Sequence, residues 1–498
     1  MQPILETPLG PVHGHEQGGV RRFLGIPYAA PPLGALRFAP PASHPGWTEP
    51  RDALAFGPAP IQPVDGLSQT LGLLGEHEQS EDCLTLNVFA PAAPAKTPRP
   101  VLVWLHGGAF QTGTAAGPAY DGAPLAARGD AVVVTLNYRV GALGFLHTGA
   151  TGCTNLGLQD QIAALRFVRE GVSAFGGDPS RVTVFGESAG AGSIVCLLAM
   201  PSARGLFQRA IVQSAAPEGQ LSAAEASERA SLLFEKLGVG RGELAALRAV
   251  PAEQILAAQA ACAEPGPRRI GMFFAPVVDG ELLPEAPHAA IERGAAREVE
   301  LVIGTTADEM LLFTLVPGFG AIPDAVLPQL AATRLPGPAE TALARAEALL
   351  AHYPGPGVER FFALETDASL FVPSTRLAEA QSHHQPRTFM YRFSWRSPLH
   401  GGKLGACHAL DVPFALGTFA LPKIRDFAGS GPDVERLAHA MMDAWVAFAR
   451  SGDPSHPGIP AWPPYAPPRR ATLELGASCR VLDAPGEVRR RTFSGEPA

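Results

Sequence analysis

Arg181-Val-Thr-Val-Phe-Gly-Glu-Ser-Ala-Gly190 is the most informative stretch of this 498-residue chain. The β-branched run from Val182 to Phe185 reads as a strand buried on both faces, and Ala191 to Leu198 is apolar enough for a helix. Between them stands G-x-S-x-G, in the strand–turn–helix setting that a nucleophile elbow requires. Such a turn holds its serine, here Ser188, in strained backbone, and the flanking glycines let neighbouring chain pass without a Cβ clash. The hydroxyl then sits at a helix N-terminus, where partial positive charge favours a developing anion. In a Gly-rich chain the pentapeptide alone also reads as an ordinary turn. The strand in front of it argues for the elbow.

Further buried runs lie on either side: Val101 to Leu105, Ala131 to Leu136, Ala210 to Val212 and Leu301 to Ile303. Helical patterns separate them. In one, Asn155 is the expected N-cap, and Leu158, Ile162, Leu165 and Val168 repeat at helical spacing before Gly171. Strands alternating with helices predict an α/β fold, a large, mostly parallel sheet covered on both faces. The first hundred residues, crowded with Pro and Gly and ending in the alternating stretch Leu84 to Phe89, predict an antiparallel opening region. Ala-rich stretches at about 216–300 and 310–385 break the alternation and read as helical excursions over one edge of the sheet. Val434, Leu437, Ala438, Met441, Trp445 and Phe448 mark one face of a late helix beginning after Gly431-Pro432-Asp433. With no repeat and no linker composition, residues 1–498 are expected to form one catalytic domain.

Trp104-Leu-His-Gly-Gly-Ala-Phe110 follows another buried strand. Residues without bulk let backbone N–H groups converge on one oxygen, and Ala189, next after the serine, can add a third donor. His106 reads as a core histidine that orients this loop. Composition narrows the partners. Apolar residues at 46%, charged residues at 17%, and 54 Gly with 50 Pro describe a compact, loop-rich globular protein. A net charge of −8 without Lys/Arg runs offers nothing to nucleic acid. The Met1-Gln-Pro-Ile-Leu start lacks a signal-peptide pattern, and no run of about 18 apolar residues offers a membrane span. A complete chain of this kind is expected in the cytoplasm. Six cysteines without a C-x-x-C pair read as reduced core residues rather than a zinc site. His13/His15 and His383/His384 lack the acidic or Cys framework that a metal-dependent hydrolase needs, so neither metal nor cofactor is expected.

The elbow and the Gly-rich loop, together with Glu81-Asp-Cys-Leu-Thr-Leu-Asn-Val88, resemble the type-B carboxylesterase family, which includes the cholinesterases. The likeness is strongest to its bacterial para-nitrobenzyl esterase branch. It covers nearly the whole chain. Phe23-Leu-Gly-Ile-Pro-Tyr-Ala, Leu136-Asn-Tyr-Arg, Asn155-Leu-Gly-Leu-Gln-Asp-Gln, Ala174-Phe-Gly-Gly-Asp-Pro and Pro276-Val-Val-Asp-Gly follow in the family's order. The resemblance implies the α/β-hydrolase fold. From the residues alone, the other members of a Ser, acid, His triad cannot be chosen among 47 acids and 14 histidines. The resemblance implies Glu309, in Gly304-Thr-Thr-Ala-Asp-Glu309, with Asp308 as local competitor, and His408, in Gly405-Ala-Cys-His-Ala-Leu-Asp-Val-Pro-Phe. It also implies oxyanion donors at Gly108, Ala109 and Ala189, with Ala109 standing where many relatives have glycine. A second polar set is implied at Glu187, Ser214 and Asp411, a structural salt bridge between Arg37 and Glu81, and an apolar pocket at Met272, Phe273, Phe274 and Phe313.

Departures from the family also inform. No cysteine precedes Cys83, so the disulfide of secreted relatives cannot form. Residues 57–82 contain no Trp, Tyr or Phe to hold a choline cation, which disfavours a choline-ester specialist. The expected activity is hydrolysis of small to medium hydrophobic acyl or aryl esters through an acyl-enzyme, with Ser188 as nucleophile. The alternative is an inactive, adhesion-type member of the fold. The partners implied are a small-molecule ester and water, in a monomer or homodimer, with neither nucleic acid nor membrane.

Overall fold

The computed structural model describes residues 3–64, 66–67, 71–262, 272–315 and 322–496. Eleven strands join in one sheet: β1 (His15–Gln17), β2 (Val20–Pro27), β3 (Thr85–Pro91), β4 (Arg99–Leu105), β5 (Val132–Leu136), β6 (Gly177–Glu187), β7 (Arg209–Gln213), β8 (Glu300–Thr306), β9 (Thr388–Phe393), β10 (Thr472–Leu475) and β11 (Arg480–Leu482). Their order is β11-β10-β9-β8-β7-β6-β4-β5-β3-β2-β1. From β5 across to β10 every neighbouring pair is parallel. The two edges are antiparallel, β3, β2 and β1 on one side and β11 on the other.

The apolar runs become central strands because both of their faces are covered. Successive side chains point to opposite faces. Val101, Val103 and Leu105 of β4 therefore enter one core, and Leu102 and Trp104 enter the other. The first core is closed by helices α1 (Leu156–Gly171) and α2 (Ala189–Ala199) and by part of the excursions, including α3 (Ala223–Leu237), α4 (Gly357–Thr366) and α5 (Val372–Ser382). The second is closed by α6 (Pro432–Ser451), whose predicted face, Val434 through Phe448, is buried. A last helix, α7 (Glu487–Ser494), packs beside α5 and the turn that precedes it at Asp367.

One expectation needs correction. Asn155 does precede α1, but at φ 55° its side chain caps nothing. Its amide instead bonds Val277 O at 2.9 Å and accepts from Val277 N at 2.7 Å, tying the helix start to the excursion. The alternating stretch at Leu84 to Phe89 falls largely in β3, which pairs antiparallel with both neighbours as expected and is buried throughout. Its polar members are satisfied inside: Asn87 donates to Thr135 Oγ1 at 2.9 Å and accepts from Gly25 N at 2.9 Å. The stretches at 216–300 and 310–385 are mainly helical, with a short parallel ribbon pairing Leu221–Ser222 with Val277–Val278. Their segments 263–271 and 316–321 lie outside the described residues. Cys83, Cys153, Cys196, Cys262, Cys407 and Cys479 are free thiols, and all but Cys479 are buried. Arg37 Nε donates to Glu81 Oε2 at 2.6 Å, and a second guanidinium nitrogen pairs with Oε1. Among the described residues no helix is long and apolar enough to cross a membrane.

Candidate active site

Neighbouring parallel strands β6, β7 and β8 end at Glu187, Gln213 and Thr306, so the residues just beyond them meet at one edge. Ser188 occupies the step from β6 into α2 with φ 56° and ψ −122°, a conformation that costs a non-glycine residue about 1–3 kcal/mol. The surroundings hold it there. Ser188 N donates to Gln213 O at 3.0 Å, and Gly192 N reaches back to Ser188 O at 2.8 Å. At Gly190 any Cβ would collide with Leu105 O, which is why the elbow needs glycine there.

The loop after β4 runs against this serine. A Cβ at Gly107 would lie 2.9 Å from Glu187 Oε2 and 3.1 Å from Ser188 Cβ. Gly108, Ala109 and Phe110 all take positive φ, at 109°, 54° and 60°, so successive N–H groups turn away from ordinary strand geometry. Gln111 N and Thr112 N each donate to Gly108 O at 2.9 Å and close the turn. Ala189 begins α2 on the other side of the serine. His106 is fully buried and stacks on Tyr138 at 4.3 Å and 12°. Its Nδ1–H donates to Gly107 O at 2.9 Å, Tyr138 OH donates to its carbonyl at 2.7 Å, and burial lowers its pKa to about 4. A neutral ring at neutral pH is a brace for the loop.

Glu309 and His408, separated by 99 positions, are hydrogen-bonded: His408 Nδ1–H donates to Glu309 Oε2 at 2.7 Å. The other carboxylate oxygen accepts from Thr306 N at 2.8 Å, and His408 N donates to Glu309 O at 3.1 Å. Asp308, the sequence competitor, has a different task. Its Oδ2 accepts from Ala406 N at 2.9 Å and so anchors the loop that carries the histidine. On its far side, His408 Nε2 stands 3.0 Å from Glu187 Oε1. Ser188 Oγ and His408 Nε2 are not hydrogen-bonded to each other among the described residues. Burial pulls the imidazole pKa down, but the nearby charges of Glu187 and Glu309 outweigh it and hold the group well above its ordinary value.

Of the implied second polar set, Glu187 faces His408 across 3.0 Å, while among the described residues Ser214 Oγ and Asp411 Oδ1, like Glu187 Oε1 itself, make no well-directed hydrogen bond. Ser214 takes φ 54° beside β7, with its N–H on Gly304 O at 2.8 Å. Asp411 Oδ2 accepts from Gln213 Nε2 at 3.0 Å and from Tyr391 OH at 2.8 Å, and Trp445 Nε1 donates to Gln213 Oε1 at 3.1 Å. Burial and the charge of Glu187 raise the Asp411 pKa to about 7 against these hydrogen bonds. Gln213 and Tyr391 escaped the sequence reading, and Trp445 entered it only as part of a core-facing helix. As ordinary strand and helix residues, they carry no motif.

Of the apolar set, Phe313 lies close to His408, its ring 5.8 Å from the imidazole. Met272 and Phe273 are half-buried, and Phe274 is core, packed edge-on to Phe273 at 4.9 Å. Arg229 of α3 holds this wall, donating from Nη1 to Met272 O at 2.8 Å and to Phe273 O at 2.7 Å.

A mixed sheet of this order, with a strained serine between a central strand and its helix, is the α/β-hydrolase fold, a class that includes many hydrolytic enzymes. The chain belongs to the carboxylesterase family, whose model matches residues 1–491. It is 42% identical to the para-nitrobenzyl esterase of Bacillus subtilis (strain 168) over 496 residues, 98% of each chain. With the phenmedipham hydrolase of Pseudarthrobacter oxydans the identity is 36% over 512 residues, 99% of each chain. A solved PNB esterase superposes with a TM-score of 0.90 at 40% identity, over 100% of both chains.

Proposed function

We propose that this carboxylesterase hydrolyses small to medium hydrophobic acyl or aryl esters in two acyl-transfer steps, with Ser188 as nucleophile, His408 as general base and acid, and Glu309 as the group that orients the imidazole. The observation that carries the reading is the 2.7 Å Glu309–His408 bond, with Nε2 of the same ring directed at the elbow residue Glu187, next to a serine at positive φ. A small pivot about the Glu309 bond exchanges Glu187 for Ser188 Oγ as the partner of Nε2. The serine proton moves to Nε2 as Oγ bonds to the ester carbonyl, and the resulting oxyanion meets the N–H groups of Gly108, Ala109 and Ala189, each donor being worth about 10²–10³ in rate. Collapse expels the alcohol, protonated from Nε2, and water then repeats the attack on the acyl-enzyme. Phe313, with Met272 and Phe273, supplies the apolar surface for the acyl or aryl group. The relatives named for para-nitrobenzyl esters and phenmedipham support an aryl-bearing substrate. A soluble, cytoplasmic setting agrees with the free thiols.

The test is a series of para-nitrophenyl esters, from acetate to octanoate, assayed across pH. The expected result is turnover that peaks at short to medium chains and falls toward acid pH with a midpoint above 6.5, because the base must be neutral. Turnover that stays flat into strongly acidic pH contradicts the role of His408.

A further inference from the structure

We propose that Thr366 is a positioning residue for the Glu309–His408 pair, and that the C-terminal helix α7 holds Thr366 in place through Asp367. This rests on the reading of Glu309 and His408 as acid and base. The peptide group that joins Glu309 to Met310 is buried and gripped from two sides. Its C=O accepts from His408 N at 3.1 Å, and its N–H donates to Thr366 Oγ1 at 3.1 Å. The remaining bonds of Glu309, from Thr306 N and His408 Nδ1, come from its own strand end and from the histidine. Thr366 is thus the anchor supplied from outside, by the last residue of α4.

The anchor has its own support. A π-helical turn, Asp367–Phe371, follows Thr366 directly, a local irregularity often found beside functional sites. At its head the buried carboxylate of Asp367 accepts from Tyr353 OH at 2.6 Å and pairs with Arg489 of α7 at 2.9 Å. The Arg489 guanidinium also lies over the Tyr353 ring at 5.6 Å. Helix α7 is fastened in turn: Arg345 donates to Thr492 O at 2.7 Å and Arg376 to Phe493 O at 2.8 Å. A continuous set of contacts therefore runs from the C-terminal helix through Arg489, Asp367 and Thr366 to the peptide of Glu309. Losing the Thr366 acceptor leaves a buried N–H unpaired, and the cheapest relief is a shift of the Glu309 backbone, which displaces the carboxylate from the imidazole.

The experiment compares Thr366→Val, which keeps the shape and loses the acceptor, with Thr366→Ser, which keeps the acceptor, and with Arg489→Met. Glu187, which faces His408, and Asp411, which feels the charges of Glu187 and Glu309, stay unaltered. The readouts are kcat and KM for para-nitrophenyl butyrate across pH, and the low-field proton resonance of the His408–Glu309 bond. Expected for Thr366→Val is a fall of about tenfold or more in kcat with KM changed by less than about twofold, and a shifted or broadened resonance. Thr366→Ser is expected to restore both, and Arg489→Met to move both in the same direction by a smaller amount. A folded Thr366→Val with wild-type kcat, pH profile and resonance overturns the proposal, as does equal damage from Val and Ser. Should Thr366→Val fail to fold, an Arg489→Met enzyme unchanged in both readouts overturns it. A wild type inert on every ester contradicts the hydrolase reading instead, and the resonance alone then decides for or against Thr366.

Discussion

His408 sits between two carboxylates, Glu309 on Nδ1 and Glu187 on Nε2, and only one of them is needed to orient a base. On the proposed roles, Glu187 favours the protonated ring in the resting enzyme, and Nε2 must turn from it to Ser188 before it can act as base. Glu187→Gln removes that charge, and the acidic limb of kcat/KM is expected to move to lower pH by about one unit or more. An unmoved limb in a pH-rate series contradicts the pairing. Asp411 gives a second prediction at this scale. Its pKa is raised to about 7 by burial and by Glu187, so its stability contribution is present below the unfolded value of 3.8 and is lost as pH rises to about 7. Asparagine can still accept from Gln213 and Tyr391. The melting temperature of Asp411→Asn relative to wild type is therefore expected to rise between about pH 4 and pH 7 and to level off above; a difference independent of pH rejects the assignment. Ser188 was legible because strand, glycine and helix signals adjoin in sequence. Glu309 and His408 were not legible from spacing, because 99 positions separate them and resemblance alone chose them. Gln213, Tyr391 and Thr366 act through bonds to residues far away in sequence, and no local pattern marks such residues.

At the scale of elements, the central strands were legible because β-branched runs buried on both faces leave few alternatives. The excursions were legible only as interruptions, since their order depends on contacts such as the Asn155 amide on the 277 peptide, where a capping signal serves a tertiary tie. Helix α3 illustrates what such ties achieve. Arg229 bonds two successive carbonyls of the Met272–Phe273 wall and lies 5.6 Å over the Phe273 ring, while Leu221–Ser222, just before α3, pairs with Val277–Val278 beyond the wall. The wall is thereby fixed at both ends. Arg229→Met is expected to loosen it and to narrow the preference for para-nitrophenyl butyrate over acetate, measured as the ratio of kcat/KM values, by about fivefold or more. An unchanged ratio shows that this wall does not contact the acyl group.

Over the whole molecule, the sheet divides two apolar cores, and the strand ends of β6, β7 and β8 deliver the serine, the polar support and the acid to one edge. The mostly parallel sheet with an antiparallel opening region was readable from apolar runs and turn composition. The strand order was not, because it depends on crossovers that no local pattern encodes. Ser188 keeps its positive φ because bonds from β7 and α2 on either side hold it. The most direct measurement is therefore hydrolysis of para-nitrophenyl acetate and butyrate by the wild type beside Ser188→Ala, with a fluorophosphonate label located by peptide mass. Turnover by the wild type, its loss in a folded Ser188→Ala and label on Ser188 alone are the predicted result; full turnover by Ser188→Ala, or label on another residue, contradicts the account.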